Sequence, residues 1–260
     1  MTRRDFLALG GAAIAVSGAN TFANPLGLLL GLQPYTVRND LQADFLGTLK
    51  KIMAMGYQEI ELSGGLGYGD FYGHKPRDLK SLLDKLGLKT SSCHYRAPAN
   101  DSDWQNNIEA SHALGVKFMV CSTPPPGPRS TEFWKTTAAL FNRIGELCRT
   151  AGIQFTYHNH NSEFRVFDGV PGYDLLLRES DLDLVKMEMD CFWVTFAGRD
   201  PVDYFHRYPG RFPLLHIKDL KPGYPPTTGE FEGNPFTEVG KGVIDWTRIF
   251  AAAPTGGVQH

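Results

Sequence analysis

The chain has almost no excess of charge of either sign. It carries 26 Lys and Arg residues against 28 Asp and Glu residues, a formal net charge of −2. Nucleic acids and anionic membranes attract basic surfaces, so neither is expected as a partner. Cysteine is also scarce, and the four residues form no CxxC pair and show no regular spacing. We therefore expect buried thiols, rather than a disulfide framework or a zinc knuckle, at Cys93, Cys121, Cys148 and Cys191.

The N-terminal apolar run, residues 7–16, is too short to span a membrane as a helix. It follows Arg3 and Arg4 and precedes small residues, with cleavage sites after Ala19 or Ala23. This pattern predicts a twin-arginine signal over residues 1–23 and a mature domain over 24–260 in the periplasm or outside a bacterial cell. No stable membrane insertion is expected after cleavage. A Sec signal or an uncleaved anchor is the alternative.

The rest of the chain alternates predicted strands and helices in units of about thirty residues. The predicted strands cover residues 28–37, 57–63, 88–95, 116–122, the start of 154–164, 184–193 and 212–219. The predicted helices cover 40–55, 76–86, 101–114, 131–150, 173–178, 201–208 and 246–252. Seven such units predict a (β/α)8 TIM barrel that is incomplete here, because its eighth strand is missing. A doubly wound open sheet is the alternative, but residues 37–40 contain no glycine-rich phosphate loop after the first strand.

One stretch, residues 154–164 with the sequence QFTYHNHNSEF, is the strongest functional signal. Its first half is typical of a strand, and side chains alternate along a strand, so His158 and His160 lie on the same side. Two imidazoles at a strand end predict the start of a divalent-metal site. The alternative is a polar loop whose Asn and His side chains cap one another.

Polar side chains recur at the ends of four other predicted strands. In a parallel barrel those ends converge on one mouth, where active sites lie. Mixed His and carboxylate ligands suit Mn, Co, Zn or Fe, and the sequence does not choose among these metals. The residues concerned are Glu61, His94, Asp190 and His216.

Residues 28–252 resemble the xylose-isomerase-like barrel superfamily. The motifs that carry the resemblance are LQPYTVRND, GYQEIELSG, SSCHYR, YHNHNSEF, MEMDCFWV, HIKDLKPG and EVGKGVIDW. The family's usual metal ligands are a Glu, an Asp, a His and a Glu that end strands five to eight. Asp190 and His216 match the middle pair, whereas strand five offers His158, with His160 or Glu163 as alternatives. The Glu of strand eight has no counterpart, so we expect the chain to be a C-terminally truncated fragment; a natural degenerate member is the alternative.

The resemblance implies a metal-dependent sugar isomerase or epimerase that transfers a proton next to a carbonyl through an enediolate. It assigns catalytic roles to His158, Glu163 and Lys218, substrate contacts to Glu61, His94 and His160, and metal ligation to His158, Asp190 and His216. Because export separates the protein from phosphorylated metabolites, a free sugar or keto-sugar is the expected substrate.

Three alternatives follow from the same residues. A keto-glycoside lyase or hydratase, or an inosose-dehydratase-like enzyme, would use the same proton abstraction. A carbohydrate-binding barrel without catalysis would bind sugar without turnover. An endonuclease IV-like nuclease is disfavoured, because Trp193 stands where that branch needs a His. The sequence leaves the oligomeric state open.

Overall fold

The computed structural model describes residues 25–64, 70–98 and 100–260. The predicted signal over residues 1–23 lies outside this part of the chain. Within it, no helix is both long and apolar enough to cross a membrane.

A parallel sheet of six strands, in the order β3-β4-β5-β6-β9-β10, forms the centre of the fold. Beside it, β1 pairs with β2 in parallel, and β2 lies one residue before β3 in the same extended segment. Neighbouring strands follow chain order, with helices between them, which confirms the predicted TIM-barrel architecture. The last residues run beside β10, where Leu215 donates its backbone N–H to the carbonyl oxygen of His260 at 3.0 Å. The strands are β1 (Gly31–Leu32), β2 (Glu59–Ile60), β3 (Leu62–Ser63), β4 (Ser92–Tyr95), β5 (Phe118–Cys121), β6 (Gln154–His158), β7 (Val166–Phe167), β8 (Val170–Pro171), β9 (Val185–Asp190), β10 (Leu214–His216), β11 (Asp219–Leu220) and β12 (Phe236–Thr237).

Local capping signals fix several of the helices. The side chains of Asn100 and Ser130 accept from backbone N–H groups of the first turns of α4 and α5, and Gly115 ends α4 in the left-handed conformation. The helices are α1 (Arg38–Ala43), α2 (Phe45–Ala54), α3 (Pro76–Leu86), α4 (Asp101–Leu114), α5 (Thr131–Thr150), α6 (Gly172–Glu179), α7 (Cys191–Phe196), α8 (Pro201–Arg207) and α9 (Trp246–Gly256).

Three predicted boundaries are wrong, for identifiable reasons. The single helix over 40–55 is two helices, because Asp44 leaves helical geometry and caps α2 by accepting from the N–H of Gly47 at 2.8 Å. The strand over 184–193 stops at Asp190, whose side chain caps α7. Only Gly31–Leu32 of the strand over 28–37 is extended in a sheet, and Pro34–Val37 forms a 3₁₀ turn.

The main apolar core lies between the sheet and its helices, while the inner face of the sheet carries buried polar side chains and a small apolar cluster, Phe118, Val120 and Leu214. In β9, Met187 and Met189 belong to the apolar core. Side chains alternate along a strand, so Glu188 and Asp190 point to the opposite, inner face. Both carboxylates are almost fully buried. Buried carboxylates are costly unless they are paired, so this inner face requires partners.

Candidate metal centre and active site

The residues expected to bind a metal end three neighbouring parallel strands. His158, Asp190 and His216 are the last residues of β6, β9 and β10. Strand register pairs His158 with Glu188 and Asp190 with His216. The carboxyl ends of these strands therefore place all three side chains at one mouth of the sheet.

Three imidazoles and two glutamates form a continuous chain inside the sheet. His216 Nε2 lies 2.7 Å from Glu61 Oε2, which lies 3.0 Å from His94 Nε2. The same His94 nitrogen lies 2.7 Å from Glu188 Oε2, and His158 Nδ1 lies 2.7 Å from that oxygen. Each carboxylate oxygen thus faces two imidazoles, which compensates for its removal from water.

Glu188 is the residue of this cluster that the sequence interpretation missed. The signal was present, because period-two alternation puts Glu188 on the same face as Asp190. One ligand atom from each of four side chains lies within 4.8 Å of the others, and together they could hold a metal ion. Those side chains are His94, His158, Glu188 and His216.

Asp190 uses its two oxygens differently. Its Oδ1 accepts from the backbone N–H of Trp193 at 3.0 Å, and its Oδ2 accepts from Lys218 Nζ at 2.5 Å. The same Oδ2 lies 3.6 Å from His216 Nδ1 and 3.8 Å from His158 Nε2, both beyond hydrogen-bond range. His216 Nδ1 is buried and has no hydrogen-bond partner. An unpartnered nitrogen beside a carboxylate suits a cation-binding position.

The charges of the cluster shift the imidazole pKa values in opposite directions. Burial would lower the pKa of His94, but the carboxylates of Glu61 and Glu188 outweigh it and raise that pKa to about 10. Glu188 likewise outweighs burial at His216 and raises its pKa to about 8. At His158 burial, and then the charge of His216, outweigh the contact with Glu188 and hold the pKa well below the ordinary value. Thus His158 is neutral at pH 7, as a metal ligand must be, whereas His216 is protonated at pH 7 and would have to release a proton on binding a cation.

The carboxyl groups also differ from one another. Burial would raise the pKa of Asp190, but the ammonium group of Lys218 outweighs it and lowers that pKa to about 2. At Glu61 the charge of His94 overcomes burial and holds the pKa well below its usual range. Burial raises the pKa of Glu188, and the negative charge of Glu61 raises it further.

The two asparagines of the HNHN segment fix the positions of its neighbours. Asn159 is hydrogen-bonded to the backbone of Asp190 in both directions, at 3.1 and 3.3 Å. Asn161 donates to the carbonyl oxygens of Thr227 and Gly229 at 3.1 and 2.9 Å. These asparagine bonds reach the backbones of other segments instead of joining the Asn and His side chains of the loop to one another, while His158 faces the cluster.

Glu163 is fully buried next to this segment. Its Oε1 accepts from the hydroxyl of Tyr157 at 2.7 Å and from the backbone N–H of His160 at 3.1 Å. Its Oε2 accepts from the Ser162 hydroxyl at 2.6 Å. These contacts show that Glu163 holds the turn that carries His160.

His160 and an aromatic wall line the outer part of the mouth. The His160 side chain is 38% exposed. The centroid of its ring lies 4.9 Å from the ring centroid of His158 and 5.5 Å from that of Trp193. The rings of Phe231 and Phe236 pack on Trp193, with ring centroids 5.8 and 5.6 Å from that of Trp193. The mouth therefore combines polar groups with an aromatic surface, as sites for polar small molecules often do.

The family described as xylose isomerase-like TIM barrel matches residues 49–257. Among curated proteins, an inosose dehydratase from Lacticaseibacillus casei is 24% identical, covering 88% of this chain and 86% of its own length. An inosose dehydratase from Clostridium perfringens is 25% identical over 74% of this chain and 71% of its own length.

Solved structures give the same picture of the fold. A sugar phosphate isomerase/epimerase from Parabacteroides distasonis superposes with a TM-score of 0.73 at 29% identity, covering 95% of this chain and 87% of that one. The IOLI protein, whose structure has a bound zinc atom, superposes with a TM-score of 0.69 at 14% identity, covering 90% and 87% of the two chains.

Proposed function

Since the chain belongs to the xylose isomerase-like TIM barrel family, we propose that it is a metal-dependent enzyme that transfers a proton on the carbon beside a carbonyl of a sugar or keto-sugar. The observation that carries the proposal is the convergence of His158, Asp190 and His216 at one sheet mouth, with an unpartnered buried nitrogen on His216.

The donor set fits a divalent ion, because two imidazoles and one carboxylate are common ligands of Mn, Co, Zn and Fe. His158, Asp190 and His216 would hold it. A divalent ion bound there would polarise the substrate carbonyl and stabilise the negative charge that develops on its oxygen.

The side chains around this position have separable roles. Lys218, which is 35% exposed, projects a positive charge beside Asp190 and would hold a substrate oxygen as charge develops on it. His160 is the most exposed imidazole of the group, and it would move the proton between carbon and solvent. Trp193 would cover the apolar face of the sugar.

Two outcomes share the proton-removal step. Return of the proton to the other face, or to the neighbouring carbon, gives epimerisation or isomerisation, and the similarity to the sugar phosphate isomerase/epimerase supports this outcome. Loss of a hydroxyl group from the next carbon gives dehydration, and the inosose dehydratase relatives support this outcome equally. From the predicted export, we propose that the substrate carries no phosphate.

The identity of the products tests the proposal. The purified chain would be loaded separately with Mn, Co, Zn and Fe and incubated with an inosose, free ketohexoses and a keto-glycoside. Proton NMR would distinguish an isomeric sugar from a product that has lost water or its glycosidic group. Sugar binding by every metal-loaded form without turnover would overturn the proposal and favour a carbohydrate-binding barrel.

A further inference from the structure

We propose that Glu61 and Glu188 are positioning residues that orient His216 and His158 so that the outer nitrogen of each ring faces the cation. This inference rests on the proposed function, because it concerns the same metal position. It also assigns the ion to the outer side of the imidazoles, beside Asp190, rather than to the space between the histidines and glutamates.

The inner nitrogen of each ring is already occupied. Glu188 Oε2 accepts from His158 Nδ1 at 2.7 Å, and Glu61 Oε2 accepts from His216 Nε2 at 2.7 Å. A neutral ring that donates through one nitrogen presents a lone pair on the other, so these hydrogen bonds select the tautomer and the ring orientation of each imidazole in its deprotonated, metal-binding form. The free nitrogens are then His158 Nε2 and His216 Nδ1.

Both free nitrogens face the same oxygen of Asp190, at 3.8 and 3.6 Å. These separations are too long for hydrogen bonds. They agree with two ligands of one ion, since bonds of about 2.0–2.1 Å place ligand atoms about 3–4 Å apart. In the structure Lys218 Nζ contacts that oxygen at 2.5 Å, so Asp190 Oδ2 is a position where positive charge is already favoured.

The inner space is a less suitable ion site. Its nitrogen and oxygen atoms lie 2.7–3.0 Å apart, which is ordinary hydrogen-bond geometry. His94 Nε2 lies between the two carboxylates and ties Glu61 to Glu188. An ion there would have to displace these hydrogen bonds, whereas an ion beside Asp190 leaves them intact and displaces the contact of Lys218 with Oδ2.

Cobalt titration of the metal-stripped protein tests this assignment without measuring activity. The variants are Glu188→Gln, Glu61→Gln and Asp190→Asn. Glu59→Gln is the matched control, because Glu59 is also a buried glutamate but contacts Ser91 and His260 instead of the imidazole chain. Affinity, stoichiometry and the visible spectrum of Co²⁺ would be recorded together with thermal unfolding of each metal-free variant.

We expect Glu188→Gln and Glu61→Gln each to weaken Co²⁺ binding roughly 10- to 100-fold, because residues that hydrogen-bond to metal ligands have effects of this size. The Co²⁺ spectrum should change, while one ion still binds. Asp190→Asn should abolish binding, and Glu59→Gln should leave affinity and spectrum unchanged. If Glu188→Gln fails to fold, the Co²⁺ affinity and spectrum of Glu61→Gln are compared with those of Glu59→Gln instead.

Two results would overturn the inference. Loss of binding in Glu188→Gln with retention in Asp190→Asn would place the ion in the inner space. If Glu188→Gln and Glu61→Gln bind Co²⁺ with the affinity and spectrum of Glu59→Gln, neither Glu188 nor Glu61 has a positioning role. If the unaltered protein binds no Co²⁺, the proposed function itself fails, so the two failures are distinguishable.

Discussion

Asp190 has two structural partners on its two carboxylate oxygens. One oxygen caps α7, and the other lies against Lys218. Asn retains the capping oxygen and removes the charge. The substitution Asp190→Asn therefore separates the electrostatic contribution of this residue from its role at the helix end.

In metal-free protein, Asp190→Asn should lower the free energy of unfolding by roughly 2 kcal/mol at pH 7. The folded pKa of Asp190 is about 2 against an ordinary 3.8, so its charge stabilises the fold above about pH 4. This contribution is lost as the pH falls through about 2. Denaturant unfolding with a chelator present, from pH 2 to 7, should show the two proteins converging at low pH; a difference that stays constant would contradict the account.

Glu163 was predicted to be catalytic, and its burial suggests a decisive substitution. Because it holds Tyr157, Ser162 and the backbone of His160, Glu163→Gln should cost about 1–2 kcal/mol of stability. We expect kcat to fall less than about 10-fold, since a group that moves the proton itself contributes about 10²–10⁴-fold. Steady-state kinetics and thermal unfolding would be compared with Tyr157→Phe. A 1000-fold fall in kcat with unchanged stability would make Glu163 the catalytic base.

The sequence predicted that Asp190, His158 and His216 lie at one mouth of the sheet, because each ends an apolar strand with a polar side chain, and the structure places them there. Their role as metal ligands stays a prediction. Glu188 follows from the same alternation, but it lies inside β9 rather than at its end, so the strand-end pattern does not include it. The burial of Glu163 was not predictable, because it depends on the hydroxyl of Tyr157 reaching across a turn.

At the scale of elements, a buried carboxylate anchors the long segment over residues 221–245, in addition to the bonds from Asn161 and the pairing of β11 with β12. Asp219 accepts from the N–H groups of Gly240 and Gly242 at 2.8 and 3.1 Å and from Trp246 Nε1 at 3.1 Å. The segment carries Phe231 and Phe236, which complete the aromatic wall on Trp193. Asp219 thus connects the base of this segment to the substrate side of the mouth.

Asp219→Asn should loosen this segment, because an amide cannot accept from all of these donors. We expect faster proteolysis within residues 221–245 and a KM raised several-fold, with Co²⁺ affinity unchanged, since Asp219 does not contact the imidazole chain. Limited proteolysis followed by mass spectrometry would locate the cuts. Asp245→Asn, which alters the cap of α9 but retains a capping oxygen, is the matched control. Equal cleavage of both variants would contradict the anchoring role.

Element boundaries were predictable where the signals are local. The bounds of α3, α4 and α5 are confirmed, because a proline or a capping side chain starts each helix and a nearby glycine follows it. Boundaries that depend on distant partners were not predictable. The end of β9 is such a boundary, because Asp190 both pairs with His216 of β10 and caps α7.

On the scale of the whole molecule, the sheet separates two environments. Its outer face packs large apolar side chains against the helices, and its inner face collects imidazoles and carboxylates that would be costly to bury singly. We propose that this polar interior activates the hydrogen on the carbon beside a substrate carbonyl through a bound divalent ion.

Solvent deuterium exchange tests that claim most directly. A keto-sugar or inosose would be incubated in D₂O with the chelated and the metal-reconstituted protein, and deuterium at the carbon beside the carbonyl would be followed by NMR. We predict metal-dependent exchange that falls at least about 100-fold on chelation and returns when the metal is restored. Equal exchange by the chelated and the reconstituted protein, or none above the solvent rate in either, would contradict the account.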